Sequence, residues 1–389
     1  MRIGRCLPPT ATPLGLADCL AGLAGLLVAA PALRKFEGEL KAVLCCRNLF
    51  LVSSGKAALT LVLRALGRLS PDRREVIIPA YTCYSVPAAV IRAGLVVVPV
   101  DIDPATLDFN PDALARALGP TTLCVVPVHL FGRPAAVERV AALCDGKGIF
   151  LVEDAAQALG GAHRGKMLGT RGDVGIYSLG RGKNITCGGG GVIVTDSERI
   201  AASVREEFET LPSPSRLGEA LLLAMVAVMA VCIRPACYWL PAALPFLGLG
   251  ETTFTLRFPI ARFSGMRAGL LRRWQVNLAR GNAARRANAA RYLSRLAGAP
   301  SDREDIPFLR YPLLLDGEKE RERILELSRK HGLGISAMYP AAVDELPRVR
   351  SSRVIEECAQ ARQVARRLIT LPTHYLVTAG DVERIVRSL

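Results

Sequence analysis

Residues 149–194, IFLVEDAAQALGGAHRGKMLGTRGDVGIYSLGRGKNITCGGGGVIV, constrain this chain more than any other stretch. Ile149 to Val152 is a continuous apolar run and reads as a strand buried on both faces, as in a parallel sheet. Glu153 and Asp154 stand where that strand ends. Val174 to Leu179 reads as a second strand. It leads into a loop with a single lysine, Lys183, set among Gly180, Gly182 and Gly188 to Gly191. Val192 to Thr195 reads as a third strand. In open α/β sheets ligands bind at the carboxyl ends of the strands. A carboxylate and an amine, 29 positions apart (183 − 154), are both delivered there.

Pyridoxal phosphate chemistry needs that pair: an amine to form a Schiff base, and a carboxylate to keep the pyridine nitrogen protonated. For either residue alone, a solvated surface charge or a helix cap is the commoner state. The ordered stretch as a whole favours the chemistry, because motif and structural context agree. A phosphate site is legible upstream, where the strand Leu49 to Val52 runs into SSGKAALTLVLRAL. Small residues Ser53 to Gly55 opening an apolar helix offer amides and a helix dipole to an anion, although Ser-Gly is also a common cap. Further apolar runs at Val76–Pro79, Val96–Val100 and Leu123–Val128 alternate with helical segments. They predict a mostly parallel sheet with helices on both faces. His129, in the turn after the last of these, reads as structural.

VEDAAQALGG, GTRGDVGIYSLGRGKNIT and the glycine run after them resemble the central motif of the DegT/StrS family of sugar aminotransferases. The resemblance extends over roughly residues 36–389 outside an apolar insertion. It implies a fold-type-I α/β enzyme, a homodimer with pyridoxal 5'-phosphate as cofactor. The large domain would hold a seven-stranded-type sheet, followed by a small C-terminal α/β domain. By the same resemblance Lys183 holds the cofactor, Asp154 pairs with its ring nitrogen and Gln157 contacts its ring oxygen. Ser54, Gly55, Lys56 and Ser178 take the phosphate. Cys83 occupies the position from which an aromatic residue covers the ring in relatives, with Tyr81 and Tyr84 on either side as substrate candidates. Arg262 keeps the arginine of the family's Y-N-x-R-M segment, while Ile260 stands where an asparagine reaches the neighbouring subunit's phosphate. The implied reaction moves an amino group from glutamate to a keto sugar, nucleotide-linked or lipid-linked. Dehydratases of the same fold carry histidine in place of the lysine, so Lys183 argues against dehydration. A non-catalytic scaffold is the other rival, kept open by Cys83 and Ile260.

Composition narrows the remaining choices. Eleven cysteines show no zinc spacing and four histidines are widely separated, which predicts reduced thiols, a cytoplasmic setting and no metal site. The net charge is +15, and residues 251–300 carry ten arginines and one glutamate. Without aromatic interleaving or a nucleic-acid module, this points to anionic substrate or lipid rather than nucleic acid. Residues 1–33 loosely resemble a secretion signal, but Asp18 interrupts the run. Leu14, Leu16, Leu20, Leu23 and Leu26–Leu27 predict an amphipathic docking helix instead. Residues 211–250 contain uncharged runs at 220–233 and 235–250, broken by Pro235, Pro241 and Pro245. Each run falls short of the roughly 20 residues that span a bilayer. They predict peripheral contact with the inner face of the cytoplasmic membrane, against the alternative of a buried insertion. The expected division is 1–35 docking segment, 36–275 large domain and 276–389 small domain.

Overall fold

The computed structural model describes residues 4–244, 253–296, 306–349 and 356–389. Its main sheet has seven strands: β1 (Asn48–Val52), β2 (Glu75–Pro79), β3 (Val96–Val100), β4 (Thr122–Val125), β5 (Phe150–Asp154), β6 (Val174–Ser178) and β7 (Gly191–Thr195). They lie in the order β1-β7-β6-β5-β4-β2-β3. Strands β3, β2, β4, β5 and β6 pair in parallel, and only β7 runs against its neighbours β6 and β1. The expected mostly parallel sheet is present, and the diagnostic stretch supplies its three adjacent strands β5, β6 and β7.

Alternation along the strands builds two cores. On β1, Phe50 and Val52 face the layer of α3 (Gly55–Leu69), while Leu49 and Leu51 face Phe36, Leu40 and Leu44 of α2 (Ala29–Leu44). Period-two burial on both faces is what a sheet sandwiched by helices requires. A second, antiparallel sheet pairs β8 (Arg310–Leu314) with β9 (Leu368–Pro372). The helix α6 (Trp274–Leu293) precedes it. The 35/36 boundary expected from sequence falls inside α2, because helix α2 continues through it. The 275/276 boundary falls at the start of α6.

The N-terminal helix α1 (Leu16–Leu27) forms, but its buried face is not the leucine face. Asp18, Gly22 and Gly25 are buried, whereas Leu16, Leu20, Leu23 and Leu27 stand exposed. The cause is α5 (Gly265–Leu270), which crosses α1 so closely that a Cβ on Gly25 would lie 2.2 Å from the Gly265 carbonyl oxygen. Only small residues fit that crossing, so the leucines turn outward. Between β7 and α5 the apolar insertion folds as α4 (Arg216–Cys232), ending just before Pro235 as the proline pattern predicts. Helix α4 buries only Glu219 and Val226. Among the described residues no helix is long and apolar enough to cross a membrane. Residues 245–250 of the insertion lie outside the described residues.

Ahead of α1, residues 5–12 form a strap from the small sheet's layer to the lysine loop. Arg5 donates to Asp381 at 3.0 Å, the Leu7 amide donates to the Gly332 carbonyl at 2.9 Å, and Leu7 sits in the same core as β9. His374 Nε2 donates to the Pro8 carbonyl at 2.8 Å, while its Nδ1 accepts from the Leu376 amide. That pairing fits a neutral imidazole. Burial drives the His374 pKa down from 6.5 to about 3. An unfolded chain protonates this side chain near its ordinary value, so between those two values the unfolded state binds more protons. Stability is therefore full above about pH 6.5 and falls as pH drops, at up to about 1.4 kcal/mol per pH unit. In urea titrations over that range, His374→Gln is expected to flatten this slope by one proton. An unchanged slope would contradict the assignment.

Candidate active site

Neighbouring acids at the end of β5 point to opposite sides, as strand geometry demands. Glu153 turns inward and is fully engaged. Its carboxylate accepts from His129 Nε2 at 2.9 Å and from the amides of Gly169, Arg171 and Gly172. Burial alone would raise its pKa, but the His129 bond and these amides bring it below the ordinary value. His129 Nδ1 in turn accepts from the Ala135 amide at 3.0 Å, which leaves Nε2 to carry the proton. His129 is thus a structural bracket between β4 and β5, as expected.

Asp154 faces the other way. It is 5% exposed, and among the described residues its carboxylate has one close donor, the Ala156 amide, 2.9 Å from Oδ1. Burial raises its pKa. The Ala156 bond, then the charges of Lys183 and His129, oppose that rise. The Lys183 charge is thus one of the influences on the Asp154 carboxyl.

The lysine loop is held in place by its backbone. Gly182 has φ +72° and lies against the strap, where a Cβ would stand 2.5 Å from Thr10 Cγ2. Thr12 Oγ1 donates to the Lys183 carbonyl at 2.7 Å. From the opposite side Arg285 of α6 reaches the same oxygen with a long contact of 3.5 Å and donates to Asn282 at 3.0 Å. Arg285 is fully buried, its guanidinium pKa pushed down to about 10 by desolvation, and its Nε has no hydrogen-bond partner among the described residues. Neither Thr12 nor Arg285 carries a local sequence signal; only the tertiary fold brings them to the lysine.

The expected phosphate residues are gathered at the start of α3. Ser54 caps the helix, its Oγ accepting from the Ala57 amide at 3.1 Å. This leaves the Gly55 and Lys56 amides without intrahelical acceptors. Gly55 sits against Ser178, where a Cβ would be 3.0 Å from the serine Cβ, and Ser178 Oγ itself accepts from the Gly180 amide at 3.3 Å. Lys56 lies 4.8 Å from the Phe258 ring centroid. Its pKa is lowered by burial, opposed by nearby Cys83.

Other candidates are engaged within the chain. Gln157 accepts from the Phe131 amide at 3.3 Å and donates to Tyr339 Oη at 3.2 Å. Tyr339 is a buried residue that sequence reasoning did not single out, though it lies in the matched segment GLGISAMYP. Its ring stacks near Phe131 and meets Tyr81 edge-on at 5.7 Å. Tyr84 exchanges hydrogen bonds with the Ala341 backbone at 3.0 and 2.9 Å. Tyr81 and Tyr84 thereby dock the 339–343 loop onto the large sheet, and half-buried Cys83 lies between them. Arg262 does not reach this group: it donates to the Glu209 carbonyl at 2.9 Å and covers the Phe208 ring at 5.2 Å.

Comparison with known proteins fits this geometry. Residues 21–213 and 260–389 match the model of the DegT/DnrJ/EryC1/StrS aminotransferase family. The chain belongs to this family. The interval between the two matched parts contains nearly all of the apolar insertion. Similarity to the dTDP-3-amino-3,4,6-trideoxy-alpha-D-glucose transaminase of Streptomyces venezuelae is 37% identity over 182 residues, 46% of this chain and 48% of that protein. The chain thus spans about half the length of this curated relative. S. venezuelae DesV, in complex with a ketimine intermediate, superposes with TM-score 0.74 at 26% identity, over 96% of this chain and 93% of that one. E. coli GDP-4-keto-6-deoxy-D-mannose-3-dehydratase with bound hydrated PLP gives TM-score 0.79 at 18% identity, over 99% and 100%, a likeness of fold alone.

Gly191 tests the cradle. A Cβ there would stand 2.2 Å from the Ser54 carbonyl oxygen, so Gly191→Ala must push the Ser54 turn away. Inorganic phosphate is expected to raise the melting temperature of the wild type and to lose that effect in Gly191→Ala, with overpacking itself costing about 1–3 kcal/mol. Equal protection of both by phosphate would place the anion elsewhere.

Proposed function

We propose that this family member is a pyridoxal-phosphate-dependent aminotransferase that moves an amino group from glutamate to a keto sugar. The observation that carries the reading is the buried Asp154 carboxylate at the end of β5, with its one close backbone donor and the Lys183 charge acting on it, together with the Ser54–Gly55 helix start packed on Ser178. These residues fit the cofactor chemically. Thr82, next to Cys83, adds a buried hydroxyl with no hydrogen-bond partner among the described residues.

When bound, pyridoxal phosphate supplies an aldehyde that condenses with amines and a ring that accepts an electron pair. Asp154 would hold the pyridinium proton at its carboxylate, and its burial makes that charge pairing strong. The Gly55 and Lys56 amides and Ser178 Oγ would hold the phosphate at the helix start. Lys183 would hold the aldehyde carbon through Nζ, and the same amine, when free, would serve as general base and general acid for the proton at the donor's α-carbon. Thr12 and Arg285, on the Lys183 carbonyl, would fix the point from which that amine swings.

Fold alone does not separate transamination from sugar dehydration, since a sugar aminotransferase and a sugar dehydratase are both named among the superposable structures. Lys183, where the dehydratases have histidine by family resemblance, favours transamination. Cys83, Ile260 and the engagement of Gln157 by Tyr339 keep the scaffold reading testable. Homodimer formation and a peripheral contact of residues 211–250 with the inner face of the cytoplasmic membrane complete the proposal.

Absorbance spectroscopy tests it. Purified protein with pyridoxal phosphate is expected to show the band of lysine-bound cofactor, roughly 410–430 nm. Glutamate should bleach that band, and Lys183→Ala should lack it. A wild type with no band would favour the scaffold; a band that no amino donor bleaches would remove the aminotransferase reading. Asp154→Ala is expected to retain the band and lose at least about 100-fold in the rate of bleaching, the scale of a removed electrostatic stabiliser.

A further inference from the structure

Most of the large apolar side chains that stand exposed among the described residues sit on two neighbouring helices. On α1 these include Leu16, Leu20 and Leu27; on α4, Leu217, Leu221 and Val228. All six are between 58% and 78% exposed. The helices lie side by side, close enough that a Cβ on Gly22 would stand 3.1 Å from Leu223 Cδ1. They form one apolar face from segments some 200 residues apart in sequence, larger than the scattered leucines of an ordinary surface.

The charges around this face are arranged by sign. Each helix carries one acid, and both acids are turned inward and neutralised. Asp18 is 1% exposed and pairs with Arg273 at 2.9 Å; Glu219 is 4% exposed and pairs with Arg267 at 2.8 Å. On α1 and α4 themselves no acid remains outside, and the acids of neighbouring α2, Glu37 and Glu39, are paired with Lys41 and Lys35. Arg216 and Arg234 are exposed at the two ends of α4, and Arg34 is exposed beyond α1. A second copy docking through this same face would set arginine against arginine with no exposed acid on either helix. An anionic lipid surface supplies the missing anions and accepts the leucines.

We infer that α1 and α4 together form a docking surface for an anionic lipid bilayer, with the leucines entering the headgroup boundary and Arg34, Arg216 and Arg234 on the phosphates. This rests on the peripheral contact proposed for residues 211–250 and extends it. The contact is a two-helix surface to which the N-terminal helix contributes equally, and its lipid is anionic. Helix α4 also packs over the lysine loop, where a Cβ on Gly188 would stand 2.7 Å from Val226. The docked face therefore adjoins the site proposed to do the chemistry.

Vesicle flotation of the full chain tests the inference. The probes are vesicles of phosphatidylcholine alone and of phosphatidylcholine with phosphatidylglycerol. Wild type is expected to float with the mixed vesicles, several-fold less with the neutral ones, and less as salt is raised. Leu20→Glu/Leu27→Glu on α1 and Leu221→Glu/Val228→Glu on α4 are each expected to cut the bound fraction at least about tenfold. All four positions are exposed, and an unchanged melting temperature and circular dichroism spectrum would confirm that each variant folds. If only the α4 variant loses binding, the two-helix surface is overturned while the contact of 211–250 survives. Equal flotation with both vesicle types overturns the anionic lipid. If wild type floats with neither, both ideas fail, and a dimer that the α1 variant splits in sedimentation velocity would identify a second copy as the occupant.

Discussion

The backbone carbonyl of Lys183 is the point on which the rest of the site depends. A lysine in a glycine-rich loop has no local structure to hold it, because such residues give up the most conformational freedom on ordering. Here the loop is held from outside, by the Thr12 hydroxyl on one side and the buried Arg285 on the other. Arg285 is expensive to bury without a carboxylate partner. The inter-sheet helix α6 tolerates it because Asn282 and the Lys183 carbonyl share its donors. The position of one side chain thus links the N-terminal strap, the large sheet and the helix leading to the small one.

The sheet was legible in sequence because its strands are buried on both faces and so read as unbroken apolar runs. Val96–Val100 and Ile149–Val152 are examples, bounded by Gly and charged residues. Asp154, Lys183, Ser54 and Gly55 stood out as candidates for a related reason: they lie at the ends of those runs, where open α/β sheets place ligands. Tyr339, Thr12 and Arg285 were not. Each reaches the site across more than 100 residues of chain, and nothing near it in sequence distinguishes it from an ordinary core or loop residue. Arg262 shows the converse. Its motif is recognisable, yet within one chain its guanidinium is spent on Phe208 and Glu209.

Helix α1 shows how tertiary packing overrides a periodic pattern. Its leucines recur at helical spacing and read as the apolar face of a docking helix, while the closeness of α5 buries a different face, where glycines and Asp18 allow backbone to meet backbone. Hydrophobicity would have paired leucine with leucine; the steric demand of the crossing won. The exposed leucines are the residue of that choice. They are joined by those of α4, which the insertion brings to the same side of the molecule.

The strap has a consequence for how the protein matures. Its partners lie at the far end of the chain, with Arg5 and Asp381 separated by 376 positions and Pro8 and His374 by 366. Contacts of such span form late, since the loop they close must first exist. A ribosome delivers Thr12 long before His374 and Asp381, the residues that anchor its strap. The nascent large sheet can therefore assemble around β5 and β6 while the lysine loop still lacks its fastening. Completion of the site is in this way coupled to delivery of His374 and Asp381, and a chain cut short before them would carry the lysine with its strap unanchored.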